Sequence, residues 1–189
     1  LETFTEFKPL VDNALYEEHR KASLSTLDIN TIDAPLIEII NGFSKLHYCF
    51  TLQSCYGHFL HNSQDNPKNV EPLSRSDSIS NVEYRIAYIA LCIKNNDRGH
   101  ALIQRLKAIS LIDPDYVQFG CAQWFWKRQV NSYTLQVAPK RYQTKDTMLV
   151  GFQEALHIEK IKNAVFDQLN KIVKEGAMEE KRPEIRPIV

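Results

Sequence analysis

The chain has 189 residues, 43% of them apolar and 10% aromatic, enough for one substantial core and too apolar for a disordered polypeptide. Its 23 basic and 23 acidic residues cancel, which excludes a protein that coats nucleic acid by net charge and leaves room only for a local patch. Four cysteines are too few for a disulfide-dense scaffold, and no apolar run approaches the ~20 residues that cross a bilayer. With no signal-peptide pattern, a reducing cytoplasmic setting without a membrane partner is expected.

From Phe4, the residues Phe7, Leu10, Val11, Ala14 and Leu15 recur at helical spacing, and the charged continuation YEEHRKASL extends the prediction of a helix with one exposed face. Asp28 and Asn30 interrupt it. The stretch DAPLIEIING predicts a second helix, with Asp33 as its cap, Pro35 in its first turn and Asn41–Gly42 as its stop. HYCFTL then reads as a short strand, and Gly57 permits a tight turn behind it. Residues 61–80 are polar, carry Pro67 and Pro72, and predict a long loop.

NVEYRIAYIALCIK is apolar on both alternating faces after Arg85, the pattern of a long internal strand. Asn96 and Asp97 start a helix that packs through Ala101, Leu102, Leu106 and Ile109. Beyond Asp113–Pro114, YVQFGCAQWFWKRQV and NSYTLQV predict paired strands that part near Asn131–Ser132. On that reading Trp124 and Trp126 share one strand face. A final helix carries Phe152, Leu156, Ile161, Val165, Leu169 and Ile172, with Gly176 and the proline-containing tail as its end. The alternation predicts an α/β or α+β fold: a single domain over 1–176 with a mixed sheet packed against helices, then a tail over 177–189.

The segment YCFTLQSCYGHFLH holds two cysteines and two histidines. Cys55, His58 and His61, with Cys49 as a fourth, offer sulfur and nitrogen ligands, but there is no CxxC pair and the spacings match no common zinc signature, so no metal is expected. Cys55 beside His58 has the elements of a nucleophile and base, yet the sequence supplies no third orienting group and leaves the catalytic residues undefined. Cys92 and Cys121 lie in apolar strand candidates and read as core.

The order of strand, QSCYG, polar loop, long strand and helix resembles the wybutosine-synthesis methyltransferase-like family, whose members carry Ser-Ser-Cys-Ser-Gly-Arg after a strand. Thr51 matches the family's preceding threonine, and Ser54, Cys55 and Gly57 fall on its serine, cysteine and glycine. Gln53, Tyr56 and His58 stand where the family has serine, serine and arginine. The resemblance spans roughly residues 28–139. It implies S-adenosylmethionine-dependent N-methyl transfer to a tricyclic modified guanine in phenylalanine tRNA, with Gln53, Ser54, Cys55, Gly57 and His58 as candidate pocket residues.

From Tyr116 through Lys145 there are five basic and no acidic residues. Lys127, Arg128, Lys140 and Arg141 are therefore the candidate phosphate contacts, with neighbouring aromatics available to stack on bases. Two further readings stand beside the enzyme: a non-catalytic RNA-binding protein, and a protein-interaction domain that presents its aromatic strands and terminal helices to a partner.

Overall fold

In the computed structural model, residues 4–5, 7–75, 78–142 and 145–180 are described. The elements in chain order are β1 (Phe4–Thr5), α1 (Tyr16–Ser25), α2 (Ile37–Ser44), β2 (Cys49–Cys55), β3 (His58–Leu60), β4 (Asn81–Arg85) and β5 (Ala87–Ile93). They continue with α3 (Asp97–Ile109), β6 (Val117–Ala122), α4 (Gln123–Arg128), β7 (Ser132–Val137), β8 (Thr147–Gly151) and α5 (Phe152–Glu180). Five strands pair in the order β1-β6-β7-β5-β2, and three in the order β3-β4-β8. The fold is a single α+β domain. The expected mixed sheet resolves into two sheets in which every pairing is antiparallel.

Alternation decides which face each strand buries. In the Cys49–Ile93 pair of β2 and β5, both side chains join the main core, whereas the adjacent Phe50–Cys92 pair joins Tyr16 of α1 in a separate small cluster. The main core fills the space between the larger sheet and α2, α3 and α5, through Phe43, Leu106, Ile158 and Leu169 against Leu91, Tyr133 and Leu135. Each such fully buried side chain contributes about 1.5–3 kcal/mol. Among the described residues no helix is long and apolar enough to cross a membrane.

Five expectations are corrected. The amino-terminal helix begins only at Tyr16, because Pro9 lacks the amide a helix needs and disfavours helical backbone at Lys8. Ahead of it, Phe4 and Thr5 pair with Ala122 and Cys121, and Asn131 clamps Val11 with bonds of 2.9 and 2.7 Å to its N–H and C=O. The long strand over 81–94 breaks at Ile86 and serves both sheets in turn. The Tyr84 hydroxyl holds the break, accepting from Ala87 N–H at 2.9 Å and donating to the Val137 carbonyl at 2.8 Å.

Residues 123–128 form helix α4 instead of continuing β6, so Trp124 and Trp126 do not share a strand face. The Arg128 guanidinium lies 3.6 Å from the Trp124 ring centre, a contact made by the i, i+4 spacing of a helix. Gly42 does not stop α2. It lies inside the helix, where an added Cβ would sit 2.5 Å from Val173 Cβ of α5, and so permits the two helices to approach. Nor does Gly176 end α5, which continues to Glu180; the rest of the expected tail, 181–189, lies outside the described residues.

Candidate functional site

Strand β2 ends where the two sheets meet. It carries a bulge between Thr51 and Gln53, pairs Cys55 with Tyr88, and turns through Tyr56 and Gly57 into β3. Gly57 has φ +87°, and a Cβ there would lie 2.8 Å from Ala87 Cβ, so the turn demands glycine for both conformation and space. His58 then pairs with Arg85 at the end of β4. The motif turn and the Ile86 break thus occupy one junction.

Asp33 reaches this junction from the loop ahead of α2. Its side chain makes no cap bond to the following turn and instead accepts from Tyr56 N–H at 2.8 Å, tying the helix entrance to the end of β2. The same oxygen, Oδ2, lies 3.3 Å from His58 Nε2, while His58 Nδ1 donates to the Asn69 carbonyl at 2.9 Å. The side chains are 22% and 4% exposed, so the pair is shielded from solvent. Asp33, aided by Cys55, raises the His58 imidazole to about 10, against a smaller desolvation cost. Burial pushes the Asp33 carboxyl up, but the bonds from His58 and Tyr56 outweigh it and hold the group below its ordinary value. Both directions describe one ion pair.

Two more groups complete the cluster. The Cys55 thiol joins the Asp33 and His58 ligand atoms, all within 4.8 Å of one another. Lys162 enters from α5, only 2% exposed, with Nζ donating to the Gly57 carbonyl at 3.4 Å. That amine sits 4.0 Å from the Tyr56 ring centre and 5.0 Å from that of Phe59. Burial, only partly offset by Glu159, lowers its pKa to about 8. Tyr56 stacks on Phe166 with centroids 5.1 Å apart, which fixes the turn against α5.

Along β2, which ends the strand order of the larger sheet, is a cavity of about 350 Å³, lined by Ser23, Thr26, Asp28, Thr31, Gln53 and Ser54 among others. The five candidate pocket residues therefore divide: Gln53 and Ser54 line this cavity, whereas Cys55, Gly57 and His58 belong to the ionic cluster with Asp33 and Lys162. His61 bridges to Gln64 and Cys49 is buried in the main core, so neither joins Cys55 and His58.

The four candidate RNA contacts do not form one strip. Lys127 and Arg128 lie on α4, which follows the end of β6, while Lys140 and Arg141 follow the end of β7. Because β6 and β7 are antiparallel, the two pairs sit at opposite ends, separated by about 17 Å of strand. Arg141 is held by both carboxylate oxygens of Glu154 at 2.6 Å. The Lys140 end is also the motif end, since Val137 pairs with Ala87 and Tyr88 with Cys55.

Sequence reasoning missed Asp33 and Lys162 as site residues. Asp33 reads as a helix cap, and only the tertiary fold redirects it. Lys162 did leave a signal: it falls between Ile158 and Phe166 on the apolar stripe of α5, where a charge is out of pattern.

No protein-family model matches the chain, and no curated protein matches it. Among solved structures, the PH1069 protein from Pyrococcus horikoshii superposes with a TM-score of 0.48 at 14% identity, covering 89% of this chain and 97% of its own. A hypothetical protein from Aeropyrum pernix superposes with a TM-score of 0.40 at 13% identity, covering 77% of this chain and 98% of its own.

Proposed function

We propose that the protein is an S-adenosylmethionine-dependent RNA methyltransferase of the wybutosine-synthesis type, acting on a modified guanine of tRNA. The observation that carries this reading is the cavity of about 350 Å³ against Thr51–Ser54, which include Thr51 and Ser54, two of the four positions that match the family motif. Its size falls in the range of small-molecule sites, roughly 300–1,000 Å³. The lining suits the donor: Ser23, Thr26 and Thr31 bring hydroxyls and Asp28 a carboxylate for ribose and ammonium, while Leu27, Ile32 and Ile40 offer apolar surface to a base.

When bound there, the donor supplies an electrophilic methyl group to a substrate nitrogen. Gln53 and Ser54 orient polar groups at the cavity wall. The Asp33–His58 pair and Lys162 fix the end of β2, which reduces the entropy lost in aligning two reactants. His58, paired with Asp33, keeps a group able to carry positive charge where the family motif has arginine. Lys140, Lys145 and Arg85, at the same end of the sheets, offer phosphate contacts that guide RNA toward the junction.

The test is transfer of a labelled methyl group from S-adenosylmethionine to tRNA lacking the final wybutosine methyl groups, with pooled cellular RNA in parallel. Label in a guanine-derived base supports the reading. Folded protein that transfers no label to either substrate refutes it, and retained RNA binding in that case would mark a non-catalytic RNA-binding protein.

A further inference from the structure

We propose that Asp33, Cys55 and His58 form a zinc site with three protein ligands and an open fourth position. The inference is independent of the methyl-transfer reading. It rests on the convergence of a carboxylate, a thiol and an imidazole, one ligand atom from each, within 4.8 Å of one another. Zinc takes sulfur at ~2.3 Å and nitrogen or oxygen at ~2.0–2.2 Å, and sites with three protein ligands keep the fourth place for water or substrate. Tetrahedral ligands stand ~3.3–3.8 Å apart, so closing the triad requires movement of at most about 1.5 Å.

The surroundings are those of a metal site. His58 Nδ1 donates to the Asn69 carbonyl, which orients the ring and leaves Nε2 facing Asp33, the arrangement that fixes the tautomer of a ligating histidine. Asp33 is anchored by Tyr56 N–H, and Cys55 and His58 are 5% and 3% exposed. The ligands come from three separate segments: the approach to α2, the end of β2 and the start of β3. The Gly57 turn brings two of them together. Lys162 lies close by, with its amine held by the Gly57 carbonyl, but a thiolate and a carboxylate supply two negative charges to offset the ion. A borderline-soft ion suits this set; calcium and magnesium prefer all-oxygen shells.

The experiment is titration of the full chain with Co²⁺ after chelator treatment, followed by displacement with Zn²⁺. The expected result is one equivalent of Co²⁺ with tetrahedral d–d bands and a near-ultraviolet thiolate charge-transfer band, both abolished by Zn²⁺. Cys55→Ser should remove the thiolate band. Asp33→Asn should weaken binding by at least about tenfold. His61→Ala, at the histidine outside the triad, should change nothing. Circular dichroism confirms that each protein is folded. The proposal is overturned if the folded parent gives no bands at millimolar Co²⁺, or if the thiolate band survives Cys55→Ser.

Discussion

Replacing Lys162 by methionine removes a charge from the interior while keeping a flexible side chain of similar length in the same channel. Burial lowers the pKa of this amine from 10.5 to about 8, a difference equivalent to about 3 kcal/mol of penalty on the charged form. Because the folded-state value lies below the unfolded one, the penalty is complete below pH 8 and is relieved as pH rises from about 8 toward 10.5. Against the gain stand the bond to the Gly57 carbonyl and the contacts with the Tyr56 and Phe59 rings, which together offset about 1 kcal/mol. Lys162→Met should therefore stabilise the protein by about 2 kcal/mol at pH 7, and the advantage should fade by pH 10.5. Urea unfolding of both proteins at the two pH values measures it, and taking the difference cancels most of the His58 titration. Because Lys162 holds the turn after β2 through the Gly57 carbonyl, methyl transfer should fall in the same variant. Destabilisation at pH 7, or an advantage that does not change with pH, refutes the reasoning.

In metal-free protein, Asp33→Asn should cost about 2 kcal/mol near pH 6 by losing a charge-assisted bond. Raised in the folded state, His58 contributes stability that is full below about pH 6.5 and lost as pH passes about 10, so the parent–variant difference should shrink over that window. Gly57→Ala should lower stability by at least about 1–2 kcal/mol in thermal unfolding, since its φ of +87° and its contact with Ala87 both oppose a Cβ. Neutralising Lys140 and Lys145 should flatten the dependence of log affinity for tRNA on log salt by about 2, while neutralising Lys127 and Arg128 at the far end should leave it unchanged.

Much of the fold was legible because local chemistry and tertiary need agree. Asn96 is expected to cap α3 and does, accepting from Gly99 N–H at 2.8 Å. The apolar run after Arg85 is an internal strand, and the described residues of the polar stretch after His61 form a loop. Failures occurred where a distant partner overrides a local preference. Tyr84 divides one apolar run between two sheets through a bond to Val137, and nothing near Ile86 in the sequence announces it. Asp33 carries a good cap signal, yet the Tyr56 amide claims its carboxylate. At the site, QSCYG was legible as a turn that glycine permits, but only the tertiary fold decides that Gln53 and Ser54 line a cavity along the edge strand β2 while Cys55 joins an ionic cluster. The basic strip failed for a topological reason: residues close in sequence lie at opposite ends of an antiparallel pair.

The central claim is that the methyl donor occupies the cavity beside Thr51–Ser54. Calorimetric titration of S-adenosylmethionine into the parent protein and into Ser54→Phe tests it most directly, because Ser54 lines the cavity and is not itself a partner in the Asp33–His58 pair. The account predicts one bound equivalent for the parent and at least about a hundredfold weaker binding for the variant, equivalent to about 3 kcal/mol. Equal affinity in two folded proteins, or no binding to the parent, would contradict it.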